Sequence, residues 1–551
     1  MSKKPPKGLG LHEPLRHPDH ARPRTRREFV AQGFMSGAAT VVGPTLLGLM
    51  ADPRMARAAT LLDGPTQTAV TNCGITTGAG KIPFICFDLA GGGNIAGSNV
   101  LVGGPKGQTD FLSVAGYNKL GLPGTMVPNP STTGNFIDTT FGLRYHSDSA
   151  HLRGMKARVK TATALTNTTG TIIPALSQND TNVNPHNPMY GIYQFGARGG
   201  LLNLIGSDSS MSGGNSMAPM SMMIPSAAPV KISSSSDSKG LVSTGQLTTL
   251  LPPLSNGTNP DVVNVMESMK RISDAKYPQV QAYDTSTSAG AALNTAVLGP
   301  AGVQACSYTK SAYIVDKYGS PSAVNPDVDP NIVGSTGIFT TAEYQASSDY
   351  QKTAAVMKLV IDGNAAAGTI EMGGFDYHTG DRMTGEARDF NLGNCIGAVL
   401  EYAARVNKPV MIYVFSDGSL ASSGMIDSSV GGRGKGVWTG DNQNVAATYF
   451  LVFDPKAKPT PALSHEGSLQ MGYFNSDGSL NTNGSPAGNN VFNLVQMVVL
   501  NYIALHGAGA ETAFANLYPS LNLNNTLGTG STLTPLITYQ PLASLMNGKV
   551  T

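Results

Sequence analysis

Apolar runs in the second half of the chain predict a sheet of buried strands. Residues 410–415 (VMIYVF) are apolar without alternation, which is typical of a parallel strand that helices cover on both faces. Similar runs occur at 369–372 and 446–453. Between the runs at 369–372 and 410–415, apolar residues recur at helical spacing: Leu392, Ile396, Val399, Leu400 and Ala403. This alternation of strand and helix predicts an α/β fold with a doubly wound, mostly parallel sheet.

Two more strands are expected in the first third of the chain. Residues 82–89 (IPFICFDL) predict a core strand that runs into a glycine-rich turn at 90–99 (AGGGNIAGSN). Glycines that follow a strand allow the backbone to approach a ligand closely. Residues 159–165 predict a further strand of the same sheet. Near the C-terminus, an apolar stretch at 492–507 predicts a buried helix.

We expect residues 59–551 to form one domain with loop-rich insertions. The stretch at 207–257 is rich in Ser, Met and Gly, which predicts an insertion that acts as a lid or a partner surface. The stretch at 280–340 is rich in Gly, Pro and Asn and is expected to be irregular. Elaborated α/β proteins often grow by such insertions rather than by added domains, so the length does not require a second domain.

The first 58 residues have the layout of a twin-arginine export signal. A basic lead is followed by TRREFV at 25–30, which contains Arg26 and Arg27, and then by an uncharged run at 34–50. The small-residue site at 56–58 (ARA) fits a cleavage site. The apolar run is short and broken by Gly and Pro residues, so a membrane anchor fits it less well. The sequence therefore predicts a periplasmic or extracellular protein.

Removal of the leader changes the charge of the chain. The leader holds 10 Lys and Arg and 4 Asp and Glu, so the mature chain has 37 − 10 = 27 basic and 35 − 4 = 31 acidic groups, a formal charge of −4. This balance argues against a nucleic-acid surface. The apolar stretch at 492–507 is too short for a convincing membrane span, so none is expected in the mature chain.

The four cysteines are widely spaced and show no zinc-ligand pattern. Cys86 lies in an apolar run and Cys395 in a helical pattern, so we expect both to be buried free thiols. A disulfide between Cys73 and Cys306 stays open, because an oxidising compartment allows it but spacing alone does not decide it.

Polar residues follow the predicted strands at the points where those strands end. Asp376 and His378 come after the run at 369–372, Asp417 comes after the run at 410–415, and Asp441 precedes the run at 446–453. Ligands of open α/β sheets bind at the carboxyl ends of the strands, so these side chains are expected to share one crevice. The weaker candidates for the same crevice are Asp88, Asn94, His186 and Asn442.

Several of these features together resemble a known family. They are the twin-arginine leader, the GGGNIAGSN turn, the GGFDYH segment at 373–378, the strand that ends in FSD at 415–417, and the helix with LNYIALHG at 500–507. The chain resembles an exported bacterial family of unknown function that is distantly related to alkaline phosphatases and sulfatases. The resemblance implies a sheet of the alkaline-phosphatase type with a metal site at the strand ends.

The chain departs from that superfamily at two imidazole positions. Gly418 follows Asp417 where the superfamily usually has an Asp-His pair, and Asn442 follows Asp441 where it has Asp-His-Gly. A pair of zinc ions needs imidazole nitrogens as well as carboxylates. The remaining oxygen-rich set suits one divalent Mg²⁺, Ca²⁺ or Mn²⁺ ion better than two zinc ions.

Three hypotheses about function follow from these residues. The first is an exported, metal-dependent hydrolase of phosphate or sulfate esters with a degraded metal site and a small anionic substrate. The second is a non-catalytic exported protein on the same scaffold, which binds a ligand or an envelope protein partner. In the third, the acidic residues only cap loops of an inert fold. Fold analogy alone does not decide among them.

Overall fold

The computed structural model describes residues 61–550, apart from 74, 76–77, 129–134, 178–183, 244–246, 255–257, 277–285, 299–301, 379–381, 466 and 520–524. The predicted export leader, residues 1–58, lies outside the described residues.

The strands of the described chain form one large sheet and three small two-stranded ones. They are β1 (Phe84–Leu89), β2 (Ile137–Asp138), β3 (Tyr145–His146), β4 (Thr168–Pro174), β5 (Leu204–Gly206), β6 (Val230–Lys231), β7 (Ala367–Met372), β8 (Val410–Ser416), β9 (Leu420–Asp427), β10 (Lys435–Asp441), β11 (Ala447–Phe453), β12 (Leu545–Met546) and β13 (Lys549–Val550). The large sheet has the order β4-β11-β8-β1-β7-β5-β6, and only β11 runs antiparallel to its neighbours. The prediction of an α/β fold with a mostly parallel sheet is confirmed.

The helices of the described chain lie on both faces of this sheet and in a separate group. They are α1 (Gly64–Asn72), α2 (Val114–Lys119), α3 (Ala150–Arg158), α4 (Ala162–Thr166), α5 (Met189–Gln194), α6 (Ser235–Gly240), α7 (Leu247–Leu250), α8 (Pro260–Lys276), α9 (Ser288–Leu298), α10 (Val303–Tyr318), α11 (Thr341–Ala346), α12 (Ser348–Ile361), α13 (Arg382–Arg405), α14 (Val491–Ala504) and α15 (Ala510–Leu517).

Both faces of the central strands are buried. Along β8, Val410, Ile412 and Val414 face one core, to which α3, α12 and α13 contribute, while Met411 and Phe415 face a second core built with α5, α14 and α15. Every residue of β8 is buried. A strand covered on both faces has no polar side to present, which is why its sequence lacks alternation.

The prediction of a strand at 159–165 is wrong. Val159 ends α3, residues 162–166 form α4, and the strand follows as β4. The backbone N–H groups of Lys160 and Thr161 both donate to the Glu401 carboxylate, which fixes a turn between the two helices. The segment therefore changes direction where an extended strand would have to continue straight.

The stretch at 280–340, expected to be irregular, contains helices α9 and α10. Its Gly residues mark helix ends: Gly302 is the N-cap of α10, and Gly319 ends that helix with φ of +65°. Between these glycines the sequence has ordinary helix-forming residues. The average composition of the whole stretch did not show that its Gly residues fall at helix ends.

Helices α1, α8, α9 and α10 form a group that we call the helical module. Its small core consists of Leu62, Val262, Val263, Met266, Ala312 and Val315. The disulfide between Cys73 and Cys306 joins the segment after α1 to α10, which decides the pairing that the sequence left open. Cys86 and Cys395 are free and buried, as predicted.

Among the described residues, no helix has both the length and the apolar character that crossing a bilayer requires.

We expect Val414→Asp to be severely destabilising, with a loss of more than about 4 kcal/mol in the free energy of unfolding or a failure to fold. Val414 is fully buried between β1 and β11, so a carboxylate there would lie unpaired among apolar side chains. Chemical denaturation followed by circular dichroism measures this loss. The matched control is Val430→Asp, because Val430 is 96% exposed and should lose less than about 0.5 kcal/mol. Similar losses for the two variants would contradict the assigned sheet order.

Candidate functional site

Asp88 is a carboxyl group buried at the centre of the large sheet, near the carboxyl end of β1. Its Oδ2 accepts a hydrogen bond from the backbone N–H of Ser216 at 2.7 Å, and its Oδ1 accepts one from the Ser216 hydroxyl at 3.0 Å. Burial raises the pKa of Asp88 to about 8, and the nearby carboxylates of Asp417 and Glu371 contribute to the rise. Asp88 therefore carries a proton at neutral pH.

Asp417 is the second buried carboxyl group and follows the end of β8. Its Oδ1 accepts from the backbone N–H of Gly91 at 2.9 Å, and its Oδ2 accepts from Asn215 Nδ2 at 2.7 Å. Burial raises its pKa, while the N–H groups of Gly91 and Gly92 oppose that rise. Both oxygens of Asp417 are thus held by donors from the protein itself.

The glycine turn after β1 makes this contact sterically possible. Gly91 has φ of +112°, and a Cβ atom placed there would lie 2.7 Å from the Cβ of Asp376. Only glycine fits both the backbone conformation and the space. The turn was predicted to approach a ligand closely, and in the structure the group that it approaches is the Asp417 side chain.

His186 is buried in the segment between β4 and α5 and packs against β8. Its Nε2 lies 3.2 Å from Ser177 Oγ, and its ring stacks on Phe415 of β8. Burial lowers the pKa of His186 to about 3, so the ring is neutral at physiological pH. The Ser177 hydroxyl also donates to the Ser416 carbonyl at 3.1 Å and accepts from Asn184 Nδ2 at 3.0 Å. The Ser177 proton has an acceptor in the backbone, so this pair anchors the loop to β8.

Asn94 is buried and serves the backbone of the same region. Its Nδ2 donates to the Leu420 carbonyl at 3.0 Å, and its own N–H donates to the Tyr377 hydroxyl at 3.2 Å. These contacts fix the glycine-rich turn to the start of β9 and to the segment that follows β7. Asn94 therefore holds the glycine-rich turn in place.

Asp376 and His378 lie at the surface beside the glycine turn. Asp376 Oδ1 and His378 Nε2 are 2.7 Å apart, and the two side chains are 58% and 35% exposed. Because Gly91 lies close to Asp376 and donates to Asp417, the exposed pair lies next to the buried Asp417 carboxyl group. This pair is the accessible part of the candidate site.

Asp441 and Asn442 lie at the base of a hairpin that begins three residues after Asp417, and the N–H of Asn442 donates to the Ser419 carbonyl at 2.8 Å. Residues 420–441 form the antiparallel hairpin β9–β10, and Asp441 pairs with Leu420 at its base. The Asp441 side chain is exposed. The side chain of Asn442 accepts from the N–H of Asn444 and caps the turn that leads into β11. The described structure therefore gives Asn442 a local structural role.

Sequence reasoning missed the loop at 207–217, which supplies the donors to both carboxyl groups. Asn215 and Ser216 belong to the predicted insertion, but nothing in their spacing pointed to Asp88 or Asp417. The glycines were the available signal: a Cβ on Gly214 would lie 2.6 Å from Asp88 Oδ2. The loop thus packs directly onto the carboxyl edge of the sheet.

The residues of this site do not fit the pair of metal ions that the family resemblance implies. Two zinc ions would need imidazole ligands beside ionised carboxylates. Asp88 instead holds a proton, and a hydrogen bond from Ser216, Asn215 or Gly91 already occupies a lone pair on each oxygen of Asp88 and Asp417. Within the part of the chain that the structure describes, no three His, Cys, Asp or Glu side chains are arranged to hold a metal ion. The predicted ligand set of Asp376, His378, Asp417 and Asp441 stays a prediction.

No model of a protein family matches this chain, and neither does any curated protein sequence. The resemblance to the exported family stays a prediction, and function is inferred from the geometry of the site.

We expect the free energy of unfolding to fall as pH rises toward the folded pKa of Asp88, and Asp88→Asn to make this fall smaller. The folded pKa of Asp88 is about 8, whereas an unfolded aspartate titrates near ~3.9. The folded state holds a proton that the unfolded chain releases. The stabilisation is therefore full below the unfolded pKa and is lost as pH rises through the folded pKa, on the order of 1.4 kcal/mol for each pH unit between them. Urea unfolding at pH 5 and at pH 8 measures the difference.

The matched control for this experiment is Asp477→Asn. Asp477 is exposed, and its hydrogen bonds to Ser479 lower its pKa, so its contribution to the pH dependence has the opposite sign. A pH profile of Asp88→Asn as steep as that of the unmodified protein would contradict the assignment of a proton to Asp88.

Proposed function

We propose that the mature chain is an exported α/β protein of the alkaline-phosphatase type that binds a partner and does not hydrolyse esters through a metal pair. The observation that carries this proposal is the state of Asp417, whose two oxygens accept from Gly91 and Asn215. In a two-metal hydrolase, such oxygens hold the ions that clamp the attacking and leaving oxygens of the ester. Here the protein's own N–H groups take that place.

The same geometry favours a protein partner over a small anionic ester. The N–H groups of the glycine turn would be the natural cradle for a phosphate or sulfate group. They already bind the Asp417 carboxylate. An incoming anion would have to displace this carboxylate from its N–H donors. An envelope protein that contacts the exposed rim formed by Asp376 and His378 avoids that cost.

A second candidate function is an ester hydrolase that uses a single divalent ion. The pair formed by Asp376 and His378 favours it, because these side chains are exposed and lie beside the turn that contacts Asp417. One carboxylate and one imidazole would be two of the ligands of such an ion, with water completing its coordination.

Calorimetric titration of metal-stripped protein with Zn²⁺, Mn²⁺ and Ca²⁺ separates these proposals. We expect no binding of two zinc ions and no hydrolysis of p-nitrophenyl phosphate or p-nitrophenyl sulfate above the buffer rate. The reason is that Asp88 holds a proton and that both oxygens of Asp88 and of Asp417 already accept hydrogen bonds within the protein. Binding of one ion together with hydrolysis, both lost in His378→Ala, would establish the second candidate instead.

Tight binding of two zinc ions with turnover of either ester would overturn the proposal. Asp477→Asn is the matched control, because this exposed carboxylate lies on a surface turn and is bonded to Ser479. Its titration should equal that of the unmodified protein.

Export is the second part of the proposal, and the structure offers one supporting observation. The disulfide between Cys73 and Cys306 is typical of proteins that work in an oxidising compartment. It agrees with the twin-arginine leader predicted at residues 1–58.

Replacement of Arg26 and Arg27 together by Lys should leave the precursor in the cytoplasm, because the arginine pair is the recognised element of this signal class. Cell fractionation and immunoblotting for precursor and mature forms measure the outcome. The conservative control is Lys3→Arg with Lys4→Arg, which keeps the charge of the basic lead. Normal amounts of mature protein outside the cytoplasm in the first variant would show that the leader assignment is wrong.

A further inference from the structure

The helical module leaves part of an apolar ridge on α8 uncovered. Val262 and Met266 lie in the core of the module and are 0% and 7% exposed. Met269 and Ile272, which follow at three-residue spacing, are 38% and 63% exposed. Side chains three residues apart are neighbours on a helix surface. The ridge therefore continues from the module's core onto its surface, and we call Met269 and Ile272 the α8 ridge.

The described chain begins beside this ridge. The N–H of Leu61 donates to Asp316 Oδ1 of α10 at 2.7 Å, and the N–H of Asp63 donates to Glu267 Oε1 of α8 at 2.7 Å. Arg271, the residue before Ile272, donates from Nη1 to Asp63 Oδ2 at 2.7 Å. The described chain therefore begins beside the C-terminal half of α8.

The apolar run of the predicted leader is close enough along the chain to reach the ridge. Residues 51–60 separate the run at 34–50 from Leu61. Ten residues span at most about 33–36 Å when extended, whereas Met266 to Ile272 covers only about 9 Å along the helix. The run carries no Asp, Glu, Lys or Arg and includes Leu46 and Leu47. Contact between this apolar segment and the ridge would remove apolar surface of both from water, which is favourable.

We infer that the apolar run at 34–50 docks on the α8 ridge in the precursor and is released when the leader is removed. This inference rests on the export leader of the proposed function. A linker of about ten residues gives an effective concentration in the millimolar range, so a contact of modest affinity is sufficient. The module that the disulfide closes would then serve the precursor as a temporary cover for its own leader.

Maleimide labelling of an introduced cysteine tests this contact. Ile272→Cys is made in the full precursor and in the mature chain from residue 59, where the native free thiols, Cys86 and Cys395, are buried. A contact with an affinity of ~0.1 mM would be mostly formed at a millimolar effective concentration, so we expect labelling about 10-fold slower in the precursor. Adding Leu46→Asp and Leu47→Asp to the precursor should restore the rate of the mature chain.

Val430→Cys is the matched control. Val430 is 96% exposed on the turn between β9 and β10, so its labelling rate should be the same in both forms. Equal rates for Ile272→Cys in precursor and mature chain would overturn the inference. Slow labelling that the two leader substitutions leave unchanged would also overturn it. Slow labelling that disappears on dilution would overturn it and assign the ridge to a contact with a second copy of the chain. The labelling uses purified protein, so failure of the export experiment would not change its result.

Discussion

Two adjacent carboxyl groups buried at the centre of the sheet impose the strongest constraint on this structure. An isolated buried charge costs several kcal/mol unless hydrogen bonds or a counter-charge compensate it. Here the two groups are treated differently. Asp88 keeps its proton, because burial raises its pKa to about 8. Asp417 receives N–H donors from Gly91 and Asn215. Each group needs backbone N–H donors at fixed positions: Ser216 for Asp88 and Gly91 for Asp417.

That demand fixes the loops at the carboxyl edge. The loop at 207–217 has to bring Ser216 to Asp88 and Asn215 to Asp417, and the glycine turn has to leave room for both. A ligand that needed these N–H groups would have to displace bonds that already satisfy buried carboxyl groups. The buried polar groups at the carboxyl edge therefore bond to one another, whereas the rim formed by Asp376 and His378 is exposed to solvent.

The sequence predicted the parts of the molecule that local pattern controls. The unalternating apolar run of β8 required cover on both faces, and the strand ends placed Asp376, His378 and Asp417 in one neighbourhood. It could not predict the donors from residues 215 and 216, because their role depends on contacts across more than a hundred residues of chain. The Gly- and Ser-rich segment before Asp441 forms the β9–β10 hairpin, which pairs Asp441 with Leu420 and leaves its side chain exposed. Its place in the same crevice stays a prediction.

The helical module and the rim of Asp376 and His378, for which functions are proposed, connect to opposite ends of β7. The helical module is tied to the body where Tyr318 of α10 donates to Asn364, just before β7 begins, at the amino edge of the sheet. The rim of Asp376 and His378 lies after the end of the same strand. A parallel strand of six residues is about 20 Å long. A leader docked on α8 and a partner bound at the carboxyl rim would therefore use separate parts of the structure. The two events share no side chain, so the disulfide-closed module can serve export without shaping the site that acts afterwards.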